Sequence, residues 1–342
     1  MTVREFGRLG DDVVHEVTIR SKAGAEARVI TWGAVLRDLH VPLPSGGRQR
    51  VVLGLQTIED YVEHSPHMGA IAGRYANRIA GGRFLLDGVE RQLDRNQAGR
   101  HALHGGGAAF GKRLWRLAAH DETSVTLTLV SLDGDGGYPG QLTATCVYRM
   151  VEPATLRVEL TAVADAPTIV NLAQHAYWNL DGSPSVLDHE LEVDASFYTP
   201  VDEDLIPTGE VSAVAGTPFD FRSRRPIRFA GRDGAPFRYD HNFVLSAPRP
   251  TRDQPLRRAA RLRSPRNGLT LELHTTEPGV QVYDGHKVDV AAPGLDGARY
   301  GANAGLCLES QVWPDSPNRP HFPDPTLRPD EVYRQISEYR FA

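Results

Sequence analysis

The chain has 342 residues, enough for one large all-β domain or two ordinary ones. Its 38 Lys and Arg against 43 Asp and Glu leave a formal net charge of −5, which argues against nucleic acid or an anionic membrane surface as its main partner. No apolar run approaches the roughly 20 residues of a membrane-spanning helix. The opening MTVREFGRLGDDVVHE has no apolar signal core, so a cytoplasmic location is expected.

Taken in order, residues 13–19 and 27–41 read as β runs, the second with a bend at Gly33. Residues 51–55 make a short apolar strand, and 57–62 about one turn of helix. Residues 84–86 and 89–91 flank Asp87-Gly88, a two-residue hairpin signal. A glycine-rich loop covers 101–107. Runs at 114–119, 125–129, 142–150 and 156–163 then alternate apolar and polar residues, interrupted by a Gly/Asp/Pro turn at 131–140.

Strands are expected at 168–180 and 187–197, followed by irregular chain over 200–240. The charged, Pro-flanked stretch at 251–268 reads as a surface loop or edge hairpin. Runs at 269–275, 280–284, 307–312 and 332–341 complete the series. No helix of ten or more residues shows a 3.6-residue period, and strands recur at short intervals, so the fold class is all-β. Antiparallel sandwich or barrel packing in a single domain over 1–342 is expected. Cys146 and Cys307 sit in apolar strand-like runs, where buried thiols are expected rather than a disulfide or a metal site.

Glu309 is the one carboxylate in the apolar run LCLESQV. Desolvation there raises its pKa toward that of a general base; a carboxylate satisfied by hydrogen bonds at a strand end is the alternative. His175 lies in NLAQHAYWNL. On one continuous strand it would share a face with Asn171, Ala173, Tyr177 and Asn179, a polar and aromatic surface suited to a sugar. A core histidine bonded to a backbone carbonyl is the competing reading. His104 lies beside Gly105, Gly106 and Gly107, which let backbone approach a ligand closely.

His64 with His67, and His101 with His104, form two HxxH pairs, but neither lies on a clear helix nor has a third ligand at metal-site spacing, and no metal is assigned. Asn77 and Arg78 occupy a small-residue, irregular segment where Arg could hold an oxygen-rich ligand or make a surface ion pair. Asp240, flanked by aromatics and His241, could bind hydroxyls or end a loop. Gln281 could be a ladder neighbour or a ligand contact.

Taken in order, GRYANRI, LHGG, GDGGYPG, NLAQHAYWNL, TPFDFR, YDHNF, PGVQVY and ESQVWPDSPN closely resemble the aldose 1-epimerase (galactose mutarotase) family, over roughly residues 30 to 342. The resemblance implies a large antiparallel β-supersandwich with little helix. It also implies a cofactor-independent interconversion of the α and β anomers of free aldoses of the glucose and galactose type. By the same resemblance Glu309 matches the general base, His175 the general acid, and His104 a second histidine that orients the substrate. Asn77, Arg78, Asp240 and Gln281 match sugar-binding positions, and Tyr177 or Trp178 lines the pocket.

The loop after Gln281 departs from the family pattern: it reads YDGHKVD where Thr-Gly-Asn is common after the tyrosine. Ala109 replaces a usual glycine before Phe110. A monosaccharide is the expected partner, with the protein a monomer or homodimer. Three alternatives stay open: a non-catalytic sugar-binding protein; a hexose-phosphate epimerase using Arg74, Arg78 and Arg83; and a glycoside hydrolase pairing Glu309 with Asp240.

Overall fold

The computed structural model describes residues 2–43, 45–231, 234–245 and 255–342. Residues 251–254 of the charged stretch, and 232 and 233 of the irregular one, lie outside these. The architecture is built on three antiparallel sheets. The first is a five-stranded meander in chain order: Thr2–Leu9, Asp12–Arg20, Glu26–Ile30, Val35–Pro42 and Arg48–Arg50. The run at 27–41 divides in two at the expected bend, where Gly33 takes φ +63 and Glu26–Ile30 folds back on Val35–Pro42.

The nine-stranded sheet runs Arg116–His120, Ser124–Ser131, Leu142–Val151, Thr155–Ala164, Tyr333–Phe341, Thr270–Thr275, Arg257–Arg263, Glu190–Val193 and Arg225–Pro226. Its first four strands are the alternating runs of the sequence; burial alternates along the second, third and fourth, whereas Arg116–His120 is largely exposed. The hairpin at Asp87-Gly88 forms as expected, with φ +50 and +78 at its two turn residues. The sole α-helix among the described residues is Ile58–His64, capped by the Thr57 side chain, and no helix there is long and apolar enough to cross a membrane.

Other expectations need correction. Residues 257–263 are neither loop nor edge: Ala259, Ala260 and Leu262 are buried, and the strand pairs on both sides. The run at 187–197 splits into Glu190–Val193 and Phe197–Thr199, which belong to different sheets. Residues 51–55 contribute only isolated bridges, Val52 to Trp178 and Leu55 to Gly294. The run at 168–180 is three two-residue strands, Thr168–Ile169, Ala173–Gln174 and Tyr177–Trp178, each with a different partner.

The third sheet positions the site. Its order is Tyr177–Trp178, Leu306–Gln311, Gly279–Tyr283, Asp240–Val244, Phe197–Thr199 and Ser212–Ala213. Successive side chains point to opposite faces, and cross-strand partners share one. One face therefore carries Trp178, Leu306, Leu308, Val280, Val282 and Phe243. All six belong to the main apolar core, and Trp178 packs 4.6 Å from Tyr339 of the nine-stranded sheet. The other face carries two polar rows in register, Tyr177–Cys307–Tyr283–Asp240 and Glu309–Gln281–Asn242–Thr199.

Candidate active site

Three loops meet this polar face, each pinned by a short ladder. Arg78–Ile79 pairs with Ala102–Leu103, which sets Asn77 beside His104. The Asn77 carbonyl accepts the His104 backbone N–H at 3.0 Å, while the Asn77 N–H donates to His104 Nδ1 at 3.1 Å. Gly105 makes the close approach possible: it has φ +98, and a Cβ there would lie 1.9 Å from the Gly73 carbonyl oxygen. Ile71–Ala72 pairs with Ala173–Gln174, and the His175 backbone bonds Ala70 and Gly69.

All eight residues singled out for the site converge. His175 Nε2 lies 3.6 Å from Glu309 Oε2, and both side chains are buried. The His104 and His175 rings stand 5.2 Å apart, as do those of His175 and Tyr177. Gln281 Nε2 donates to Asp240 Oδ1 at 2.7 Å, and Arg78 Nη2 approaches Asp240 Oδ2 at 3.6 Å. The Tyr177 hydroxyl donates to the Pro66 carbonyl, so this residue offers the site its ring. Trp178 points to the core.

Residues 171 and 179 do not share the face with His175. Asn171 donates to the carbonyls of Ala76 and Val312, and Asn179 to those of Ser183 and Ala304; both hold loops together. Arg74 is also structural, its guanidinium caged by the carbonyls of Ser131, Leu132, Pro139 and Gly140 with Ser131 Oγ. Arg83 is exposed on the outer hairpin. Arg78 alone of the three arginines reaches the site.

Burial dominates the electrostatics. It pushes the Glu309 carboxyl well above the usual carboxylate range; the nearby Asp240 charge adds to this and Arg78 opposes it. Burial lowers His175 to about 4, against an upward pull from a backbone hydrogen bond and Asp240. His104 falls well below its ordinary value, first through burial and then through His67, His175 and Arg78. Glu309 Oε2 and Gln281 Oε1 are buried with no partner, as are both amide atoms of Gln311 and Asn242 Oδ1 on the same face. Unmet polar atoms gathered on one sheet face suit a ligand rich in hydroxyls.

By residue type, His104, His175 and Glu309 could hold a divalent cation, since one ligand atom from each lies within 4.8 Å of the others. The tautomer opposes it. A metal-binding histidine passes its other N–H to an acceptor, whereas His104 Nδ1 faces the Asn77 N–H donor. Neutral His104 therefore carries its proton on Nε2 and leaves no lone pair for a metal; it is built as a hydrogen-bond donor. His101 is occupied elsewhere, between the Gly81 N–H and Asp204.

Three neighbours of the site were not singled out from the sequence as parts of it. His67 stands 4.7 Å from the His104 ring and 6.0 Å from that of His175, with burial lowering it to about 3. Gln97 accepts from Arg78 Nε at 3.0 Å, and Cys307 Sγ lies 3.6 Å from His175 Nδ1. Strand parity with Glu309 could have found Cys307; nothing local marks Gln97.

Comparison with known proteins gives a consistent result. A family profile described as aldose 1-epimerase matches residues 15–340. The galactose mutarotase of Bos taurus is 41% identical over 319 residues, 92% of this chain and 90% of that protein. The aldose 1-epimerase of Escherichia coli is 39% identical over 332 residues, 95% of this chain and 94% of that protein. A crystal structure of an aldose epimerase homologue from C. elegans superposes with a TM-score of 0.89 at 33% identity, covering 96% of this chain and 98% of that one.

Proposed function

Since the chain belongs to the aldose 1-epimerase family, we propose that it interconverts the α and β anomers of free aldoses of the glucose and galactose type, with Glu309 as base and His175 as acid. The observation that carries this reading is the buried His175–Glu309 contact of 3.6 Å, with Glu309 Oε2 unpartnered at the end of a polar sheet face.

Opening a hemiacetal requires removal of the anomeric hydroxyl proton while the ring oxygen gains one; closing the ring reverses both transfers. A neutral carboxyl with a neutral imidazole, and a carboxylate with an imidazolium, carry the same single proton. The upward shift of Glu309 and the downward shift of His175 favour the first arrangement. An anomeric hydroxyl donating to Glu309, and a ring oxygen accepting from His175, favour the second. Ring opening then needs no proton from solvent, and the aldehyde can rotate and reclose on its other face. His104 donates from Nε2 and helps to orient the ring oxygen.

Asp240, Gln281, Asn77 and Arg78 take the remaining hydroxyls, and Tyr177 supports the apolar side of the sugar. A well-placed acid or base contributes about 10²–10⁴-fold. Roughly 3–5 kcal/mol of barrier is therefore asked of each group. The same reading treats 1–342 as one domain, a monomer or homodimer, at work in the cytoplasm. The two unpaired buried cysteines suit that compartment.

The test is the approach of freshly dissolved α-D-galactose and α-D-glucose to anomeric equilibrium by polarimetry, with galactose 6-phosphate alongside. Acceleration by wild type that disappears in His175→Ala supports the proposal and ranks the sugars. A folded wild type that accelerates no free aldose overturns it. Preference for the phosphorylated sugar would favour the hexose-phosphate alternative, which the caged Arg74 and outward Arg83 speak against.

A further inference from the structure

The Nδ1 side of His175 has an unusual partner. A histidine that works through one ring nitrogen is commonly oriented by a carboxylate or carbonyl at the other, which fixes the tautomer and favours the imidazolium. Here the side chain recorded at Nδ1 is the Cys307 thiol, 3.6 Å away. Cys307 is fully buried on the polar face, two residues before Glu309, with Tyr177 and Tyr283 as its cross-strand neighbours. One strand, Leu306–Gln311, thus brings Glu309 to Nε2 and Cys307 to Nδ1 of the same imidazole.

We propose that Cys307 is a positioning residue for His175, a two-way hydrogen-bond partner that serves both protonation states of the imidazole during ring opening and closure. The thiol is a weak donor and a weak acceptor. Toward neutral His175 its S–H donates to Nδ1, which places the ring proton on Nε2, facing Glu309 and the sugar. Toward the imidazolium the thiol turns and its sulfur accepts from Nδ1–H. No covalent bond is made or broken, and the thiol keeps its proton throughout. Burial, Glu309 and Asp240 all push the thiol well above its ordinary value, so it does not compete for that proton. A carboxylate at Nδ1 would hold the charged form and weaken the acid; an apolar group would leave the charged form unsupported. A residue that must give and recover a proton in each turnover is served by a partner that favours neither state strongly.

The groups facing His175 come from every element packed on it. They are Glu309 and Cys307 on Leu306–Gln311, Tyr177 on its own segment, Asp240 and Tyr283 on the next two strands, and His104 and His67 from the loops. A backbone carbonyl also draws His175 upward; of these side chains only Cys307 lies within hydrogen-bond reach of Nδ1, and the inference concerns that side-chain contact. It rests on His175 acting as the acid.

The test compares Cys307→Ser and Cys307→Ala with wild type, using Cys146→Ser, a buried thiol in the nine-stranded sheet, as the control for losing a core thiol. Mutarotation rates are read against pH wherever circular dichroism shows an intact fold, and 15N spectra of His175 report its tautomer. Serine, the stronger acceptor toward a charged donor, is expected to move the acid limb of the profile up by about half a pH unit, and alanine to move it down by about as much. Alanine is also expected to lower kcat about 3–10-fold with KM little changed, and serine to restore most of it. Cys146→Ser should leave the profile in place. Folded Cys307 variants with an unmoved profile and an unchanged His175 tautomer would overturn the inference while leaving the acid and base assignments standing. Wild type failing to accelerate mutarotation would overturn both. If alanine does not fold, the sign of the serine shift decides.

Discussion

Two strands of this protein use the same alternation for opposite purposes. On Leu142–Val151, in the nine-stranded sheet, burial itself alternates: Leu142, Ala144, Cys146, Tyr148 and Met150 face the core, and the residues between them are at least partly exposed. On Leu306–Gln311, in the six-stranded sheet, every residue is buried and the two faces differ in what they meet. Leu306 and Leu308 face the core, while Glu309 and Gln311 face a second interior, walled by loops and lined with unmet hydrogen-bonding atoms. The first strand gains from burial. The second incurs desolvation on its polar side, which raises Glu309 and lowers His175 and so tunes the pair.

The comparison is broken most sharply at Glu309. Glu309→Gln should reduce the mutarotation rate by about 10²–10⁴-fold, while thermal or urea unfolding shows stability unchanged or higher. The sign follows from linkage. The folded pKa of Glu309 lies above its ordinary value of 4.5, so wild-type stability contributed by this group is present at low pH and lost as pH rises past 4.5. The variant's relative stability should therefore grow from about pH 4.5 upward. Glu309→Gln destabilised at every pH would show that the carboxylate holds the fold together.

Leu127→Ala, on Ser124–Ser131 of the other sheet, should do the reverse. It empties a fully buried site and should cost about 2–5 kcal/mol in denaturant unfolding, with kcat per folded molecule kept. A changed kcat would mean that the two sheets are coupled more tightly than their packing implies.

The pH dependence sharpens the contrast at intermediate cost. The active pair holds one proton, so rate should fall below about pH 4 as His175 takes a second. It should fall again above the raised value of Glu309, where the single proton leaves. Buried His67, His104, His175 and His241 all have lowered values, so the stability they contribute is present above pH 6.5 and declines as pH falls toward 4. Rate and unfolding followed together across that window separate the two effects. The smallest change is expected at a solvent-accessible ion pair on the nine-stranded sheet. Arg258, bonded to Asp194 and Glu192, should shift stability by less than about 1 kcal/mol on replacement by Ala and leave mutarotation alone.

Much of this was legible along the chain. The alternating runs at 125–129, 142–150 and 156–163 became central strands because period-two polarity is a local property that survives any choice of partner. The Asp87-Gly88 turn formed for the same reason: its backbone preference lies in two residues. The motif residues His104, His175, Asp240, Gln281 and Glu309 were recognisable as a set through family resemblance.

Partner choice was not legible. The stretch at 168–180 has the composition of one strand, yet three separate ladders, with Asn171 and Asn179 bonded to loop carbonyls, divide it. Arg74 and Arg78 are four residues apart in the same motif, and only the tertiary structure sends one into a carbonyl cage and the other to Asp240. The meeting of His175 with Glu309 at Nε2 and Cys307 at Nδ1 joins positions more than a hundred residues apart. Such contacts depend on sheet register and loop closure, which no local propensity encodes.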